Sequence, residues 1–286
     1  MTEVVSDLFA DLYEPHLESL SASPTGAAAR MTFGFSRLDA LTGGFSGSIA
    51  IASAPGVGKT SLGLQMGIHL LEEEDVAVLF VSPELPRSVV MDRLVANISG
   101  VKLDELRRGA VVDPKRRATM KKAAEWIARC GSRLAIRGRS EALGFAELRE
   151  RIDELQSRAG ATRVLAILDG LQTYAARCRS SAEAEKDALD RVTSEWVDGW
   201  TTPGVTSLLL SHVPKNAFGS HGQGVFSGSA RIEYRVDMAL VLEPPEDRRG
   251  KETYPVTVHV TKNWHGAIGA ARLNFDACRC RFTDGK

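Results

Sequence analysis

The stretch Ser53–Ser61, SAPGVGKTS, lies between an apolar run, residues 48–52, and a helix-like run, residues 62–66. A strand that turns on glycines and continues as a helix leaves few folds open to the chain. Gly56 and Gly58 let the backbone curl so that successive N–H groups point inward, toward an anion at the helix N-terminus. Lys59 adds positive charge for β- and γ-phosphates, and Thr60 offers a hydroxyl to Mg²⁺. The pattern GxxxxGK[ST] is met except at its first position, which holds Ser53. Ala54, Pro55, Gly56, Val57, Gly58, Lys59, Thr60 and Ser61 are therefore expected to wrap the phosphates of a nucleoside triphosphate.

The 286 residues carry 36 basic and 36 acidic side chains, which argues against a uniformly basic protein that coats nucleic acid. The charge is uneven: residues 1–30 hold five acids against Arg30, whereas 100–151 hold 14 Lys/Arg against seven Asp/Glu. That basic region either meets phosphates or forms a solvated helix face. Cys130, Cys178, Cys278 and Cys280 show neither CxxC pairing nor metal-ligand spacing, as expected of reduced thiols in a cytoplasmic protein. No apolar run approaches membrane-spanning length, and the acidic N-terminus lacks the basic start of a signal peptide.

Residues 3–20 place apolar side chains at roughly helical spacing, interrupted near Pro15, and Ser21 to Arg30 reads as a linker. The expected division is thus 1–30, an N-terminal helix and linker, and 31–286, a single catalytic domain. The helix either docks on a neighbouring subunit or packs on its own domain. Beyond the glycine-rich turn, strands are predicted at 76–81, 133–137, 163–169, 206–211, 238–242, 256–261 and 270–275. Helices are predicted over 86–98, 115–130, 144–158 and a stretch reaching about Trp200. The Gly- and Ser-rich segment 213–230 reads as a long loop. Strands alternating with helices predict a twisted, mostly parallel α/β sheet with helices on both faces and an antiparallel finish.

In such sheets the ligand sits beyond the carboxyl ends of the strands, so the polar residues there matter most. Asp169 ends an apolar strand and suits a Mg²⁺-holding acid. Glu84 ends another; it either orients the attacking water or complements the dipole of the following helix. His212 ends a third, contacting the γ-phosphate or serving as an ordinary strand-end histidine.

Together these residues resemble the RecA-like motor domain of DnaB-type replicative helicases, over roughly residues 32–284. The likeness runs through Phe33-Gly34-Phe35 with Leu38-Asp39 and Thr42-Gly43-Gly44, the glycine-rich loop, and Ser82-Pro83-Glu84-Leu85. It continues through Leu168-Asp169 with Leu171-Gln172, and through Ser211-His212, where the family usually has Gln as its polar sensor. Gly228-Ser229 with Ile232-Glu233 and Val236-Asp237 completes it. The resemblance implies a RecA-like P-loop NTPase fold, with ATP and Mg²⁺ bound between subunits of a ring, most simply a hexamer. Lys59, Thr60, Glu84 and Asp169 would come from one subunit and Lys262 from the next. It also implies an ATP hydrolase that acts on single-stranded DNA in replication, with a helicase loader or replication initiator as a further partner. The DNA-contacting loops would be Thr173 to Asp187, with Arg177 and Arg179, and Val213 to Ser229, with Lys215, Asn216 and Phe218.

Three departures from the family pattern stand out. Only the helix at 3–20 precedes the motor, where bacterial replicative enzymes carry a separate primase-interacting domain. Gly170 replaces the usual aromatic residue after the strand-end acid. Lys262-Asn263-Trp264 stands where Lys-x-Arg is usual, so Trp264 occupies the arginine-finger position, either as a half-buried aromatic or against a neighbouring subunit or the base. Two alternatives stay open: a RecA/RadA-type recombination or repair ATPase, and a non-motor ATP-dependent regulatory or assembly protein.

Overall fold

The structure, a computed structural model, describes residues 30–108, 114–141, 144–200, 202–212, 230–248 and 250–285. The expected N-terminal helix lies outside these residues, as does the expected 213–229 loop with Lys215, Asn216 and Phe218.

Among the described residues nine strands form one sheet: β1 (Ser48–Ser53), β2 (Val76–Val81), β3 (Leu134–Arg137), β4 (Arg163–Asp169), β5 (Val205–His212), β6 (Met238–Glu243), β7 (Thr253–Asn263), β8 (Gly269–Asp276) and β9 (Arg281–Asp284). Their order across the sheet is β3-β2-β4-β5-β1-β6-β7-β8-β9. The first six in that order are mutually parallel, and β6 to β9 pair antiparallel. This is the mixed sheet the sequence predicts, extended by β9, which it does not.

The central strands are apolar through their middles because both faces are covered. Ile49, Ile51, Val78, Phe80, Leu165, Ile167, Leu208 and Leu210 enter one core, while Ala50, Ala52, Leu79, Val81, Val164, Leu168 and Leu209 enter the other. Period-two alternation thus divides a continuous hydrophobic run between two helical layers. The first layer contains α1 (Ser36–Thr42), α2 (Lys59–Leu70), α3 (Arg87–Ser99) and α5 (Pro114–Cys130), with the short α4 (Leu103–Arg107) beyond α3. The second contains α6 (Phe145–Ala159), α7 (Leu171–Cys178), α8 (Glu185–Asp198) and α9 (Ala230–Arg235).

Two motifs singled out by the resemblance brace the frame. The Asp39 carboxylate accepts the backbone N–H groups of Phe33, Gly34 and Phe35 at 2.6, 3.0 and 3.0 Å, which folds the segment ahead of β1 onto α1. Asp237 accepts both Ser48 N–H and Ser48 Oγ–H, at 2.7 and 2.8 Å, and so pins the start of β1 beside β6.

One expected loop is largely helical. Within Thr173 to Asp187, α7 runs to Cys178 and α8 starts at Glu185, leaving 179–184 as the connection. Leu171, Tyr174 and Ala175 are buried at helical spacing, so burial of one face drives that segment into a helix.

Candidate nucleotide-hydrolysis site

The site begins where β1 ends. Ser53 is the last residue of that strand and keeps extended backbone, so the first position of the loop motif places no demand for glycine here. Gly58 is different. Its φ is +105°, and a Cβ on it would lie 2.8 Å from the Phe282 ring and 2.9 Å from Phe275. Conformation and packing both exclude a side chain. From the same C-terminal strands, Tyr254 donates its hydroxyl to Gly56 O at 3.0 Å, and just before them Arg248 donates to Pro55 O at 3.3 Å. The phosphate-binding loop is therefore clamped from outside by residues some 200 positions away in the chain.

The expected site residues converge around this loop. The strand ends of β1, β2, β4 and β5 lie side by side, with Ser53 opposite His212 and Asp169 opposite Leu210. Thr60, on the first turn of α2, donates to Asp169 Oδ1 at 2.9 Å, and Ser82 donates to Oδ2 at 3.3 Å. Asp169 is 1% exposed, and that burial raises its pKa against the opposing pull of the Lys59 charge and the Thr60 hydrogen bond. Lys59 is 7% exposed; burial lowers its pKa while Asp169 and Glu84 hold its charge. A half-buried hydroxyl and a buried carboxylate, both oxygen donors, suit a small hard cation that keeps most of its ligands as water. Thr60 and Asp169 thus fit Mg²⁺, and no cluster of three or more His, Cys, Asp or Glu side chains suited to a metal forms among the described residues.

His212 bridges the two functional halves. Its Nδ1 is 3.3 Å from Lys59 Nζ and its Nε2 is 3.1 Å from Glu84 Oε1. One neutral tautomer serves both contacts: Nδ1 accepts from the ammonium and Nε2–H donates to the carboxylate. Gln172 fixes the strand end that carries the imidazole, donating to Ser211 Oγ at 2.7 Å and accepting His212 N–H at 3.3 Å. Burial alone would raise the Glu84 pKa. The hydrogen bonds from His212 and Thr173 and the Lys59 charge outweigh it, so the carboxyl is held below its ordinary value.

Lys59, Thr60, Glu84 and His212 line a cleft of about 360 Å³. Arg93, on α3, also lines it, and the sequence does not single it out. Among the described residues its guanidinium has no hydrogen-bond or ion-pair partner, and its charge reaches both Asp169 and Cys280. The only trace in sequence is its place nine residues after Glu84, in the helix that follows that strand end.

The remaining candidates lie away from the cleft. Lys262 donates to Glu233 O at 3.0 Å and Tyr234 O at 2.8 Å, at the C-terminal end of α9, and its ammonium sits 4.6 Å above the Trp264 ring. Burial lowers its pKa. Trp264 is 64% exposed beyond the end of β7, so the half-buried reading is corrected. A hairpin tip has no second layer to cover it. Arg177 is on α7 rather than in a loop and donates to Arg139 O at 2.6 Å; Arg179 follows that helix and reaches Glu183 O at 3.4 Å.

Residues 31–284 match the family model described as the DnaB-like helicase C terminal domain. A relative from Leifsonia xyli subsp. xyli, the replicative DNA helicase DnaB, is 23% identical over 271 residues, covering 91% of this chain and 57% of that protein. The Treponema pallidum protein of the same name is 38% identical over 78 residues, 27% of this chain and 18% of its own length. A solved structure of a DnaB-like replicative helicase, described with its interactions with primase, superposes with a TM-score of 0.80 at 16% identity. That likeness covers 99% of this chain and 68% of the other. The chain spans little more than half the length of the curated relatives it matches end to end. With a RecA-like sheet, a clamped phosphate-binding loop and the family's strand-end acids in place, the chain belongs to the DnaB-like helicase C-terminal domain family.

Proposed function

We propose that this chain is the motor of an ATP-dependent DNA helicase or translocase that acts as a ring, most simply a hexamer, on single-stranded DNA in replication. The observation that carries the reading is the convergence of Lys59, Thr60, Glu84, Asp169 and His212 at the carboxyl ends of four adjacent strands. Backbone N–H groups of 54–60 and the Lys59 ammonium would bind the β- and γ-phosphates, and Thr60 and Asp169 would hold Mg²⁺. The bound cation supplies positive charge that offsets the phosphate oxygens during transfer. Glu84 would orient the attacking water and accept its proton, and its carboxylate already stands ionised beside the cleft. His212, between Lys59 and Glu84, would register the γ-phosphate, because an anion that draws Lys59 away breaks the Lys59–His212 contact.

Single-stranded DNA would be followed by the 179–184 connection with Arg179, by Arg177, and by the 213–229 segment with Lys215, Asn216 and Phe218, through phosphate contacts and base stacking. A loader or initiator would place the ring on DNA. Among the described residues no helix is long and apolar enough to cross a membrane.

ATP turnover measured with and without single-stranded DNA, together with strand displacement on a forked duplex, tests the proposal. DNA-stimulated turnover with ATP-dependent displacement is expected. Turnover indifferent to DNA, with no displacement, would instead favour a nucleotide-dependent regulator. The exposed Trp264 is the observation on that side, since an uncharged indole stands at the family's arginine-finger position.

A further inference from the structure

Glu84 is held from three sides, and each of the three residues involved departs from the family pattern or lies outside it. His212 donates to Oε1 from β5, in place of the family's usual Gln. Thr173, on the first turn of α7, donates its hydroxyl to the same oxygen at 3.0 Å. Gly170 provides the floor: a Cβ there would collide with Glu84 Oε1 and stand 2.7 Å from Cδ, well inside contact distance. Its φ of +107° also disfavours any side-chain-bearing residue. The aromatic residue usual at that position cannot coexist with this carboxylate pose.

We infer that Thr173 is a positioning residue for Glu84 and that Gly170 is the clearance this position requires. Oε1 is committed to the two donors from Thr173 and His212. Among the described residues Oε2 accepts no hydrogen bond, which leaves it to receive a proton from water in the cleft. Two donors on one oxygen fix the rotation of the carboxylate as well as its place. A general base must present a lone pair at hydrogen-bond distance from the water, and small misplacements slow the reaction strongly. Thr173 also shares its helix turn with Gln172, which holds Ser211 and the backbone of His212. A single turn of α7 therefore sets both donors on Glu84, one directly and one through the end of β5.

The inference rests on the reading of Glu84 as the group that handles the attacking water, and its test separates the two. Steady-state ATP turnover is measured for wild type, Thr173→Val, Thr173→Ser and Gly170→Ala, and crystal structures of the three variants are compared. Thr173→Val keeps the shape and loses the donor. Its kcat should fall about 10–100-fold, as expected on losing a hydrogen bond to a charged group. KM for ATP should stay within about twofold, because the loop that binds phosphate is untouched. Thr173→Ser should restore most of kcat, which a purely steric role for Thr173 would not produce. Gly170→Ala should lower kcat at least as far, with Glu84 displaced from His212 in its crystal structure. Wild-type kcat in Thr173→Val, or a loss that serine does not rescue, overturns the inference while leaving the ATPase reading intact. If wild type shows no turnover, the ATPase reading falls. The crystal structures then decide alone: Glu84 unmoved in both Thr173→Val and Gly170→Ala would overturn the positioning role, and displacement in both would uphold it.

Discussion

Asp169 and Glu84 are carboxylates of one site pushed in opposite directions, and their pH signatures should differ in sign. Asp169 is raised above its ordinary 3.8 by burial. As pH climbs, the unfolded chain loses that proton first, so stability without ligand falls between 3.8 and the folded value. Asp169→Asn removes the buried charge but keeps an acceptor for Thr60 or Ser82. It should raise the thermal midpoint of the ligand-free protein, each kcal/mol shifting it by roughly 2–4 °C at this size, while abolishing Mg²⁺-dependent turnover. Calorimetry beside a turnover assay checks both halves, and a lowered midpoint would show that the charge is compensated in the folded protein. Glu84 is depressed from 4.5, so its contribution is complete above 4.5 and disappears as pH falls through the folded value. Glu84→Gln should keep nucleotide binding and lower kcat by about 10²–10⁴, the usual share of a general base. Lys59→Ala should weaken binding itself, read by equilibrium titration with a fluorescent ATP analogue. Asp169, Glu84 and Lys59 are legible in sequence because each ends a strand or a motif. Thr173 and Arg93 are not, since a threonine or arginine inside a helix announces nothing about the carboxylate across from it.

At the scale of elements, the β7–β8 hairpin is where family pattern and structure part. Lys262 is occupied by the last carbonyls of α9 and by the Trp264 ring, so in this chain it caps a helix. A cation at a helix C-terminus contributes about 0.3–1 kcal/mol, and Lys262→Ala should cost that much in urea unfolding. If Lys262 also reaches a neighbour's nucleotide, the same variant should lose turnover far beyond that stability change. Trp264→Arg should raise turnover when the motor is otherwise complete, because a guanidinium spreads charge over phosphoryl oxygens and an indole cannot. Trp264→Ala should leave the isolated chain's stability within about 0.5 kcal/mol, given its exposure. Element types are mostly readable from periodicity: α3, α5, α6 and β4 fall within a residue or two of the predicted spans. The misses include β9 and the short helices, of which α1 and α7 are instructive. α1 is too short for periodicity and forms because Asp39 gathers three N–H groups. α7 hides in a polar stretch, although Leu171, Tyr174 and Ala175 carry a helical face.

Across the whole molecule, the parallel core and the antiparallel edge are readable from sequence but the order of strands is not. Apolar runs say that a strand is buried, not which strand lies beside it. β1 sits between β5 and β6, so the loop that binds phosphate is flanked by strands that follow it by more than 150 positions. Nor could the apolar pattern reveal that Phe275 and Phe282 press on Gly58, or that Tyr254 grips Gly56. That clamp has a consequence in time. A ribosome delivers the chain from its N-terminus at about 5–20 residues per second. Every motif of the hydrolytic cleft has emerged by His212, yet the walls that shape the loop arrive only with β7, β8 and β9. Nascent chains should therefore acquire nucleotide affinity abruptly at the end of synthesis rather than with the motifs. A chain stopped at residue 252, which keeps Lys59, Thr60, Glu84, Asp169 and His212, should bind a fluorescent ATP analogue at least tenfold more weakly than the full chain. Equal affinity would mean that the loop shapes itself. On this account the last strands act as a completion check: an unfinished chain remains unable to hold nucleotide.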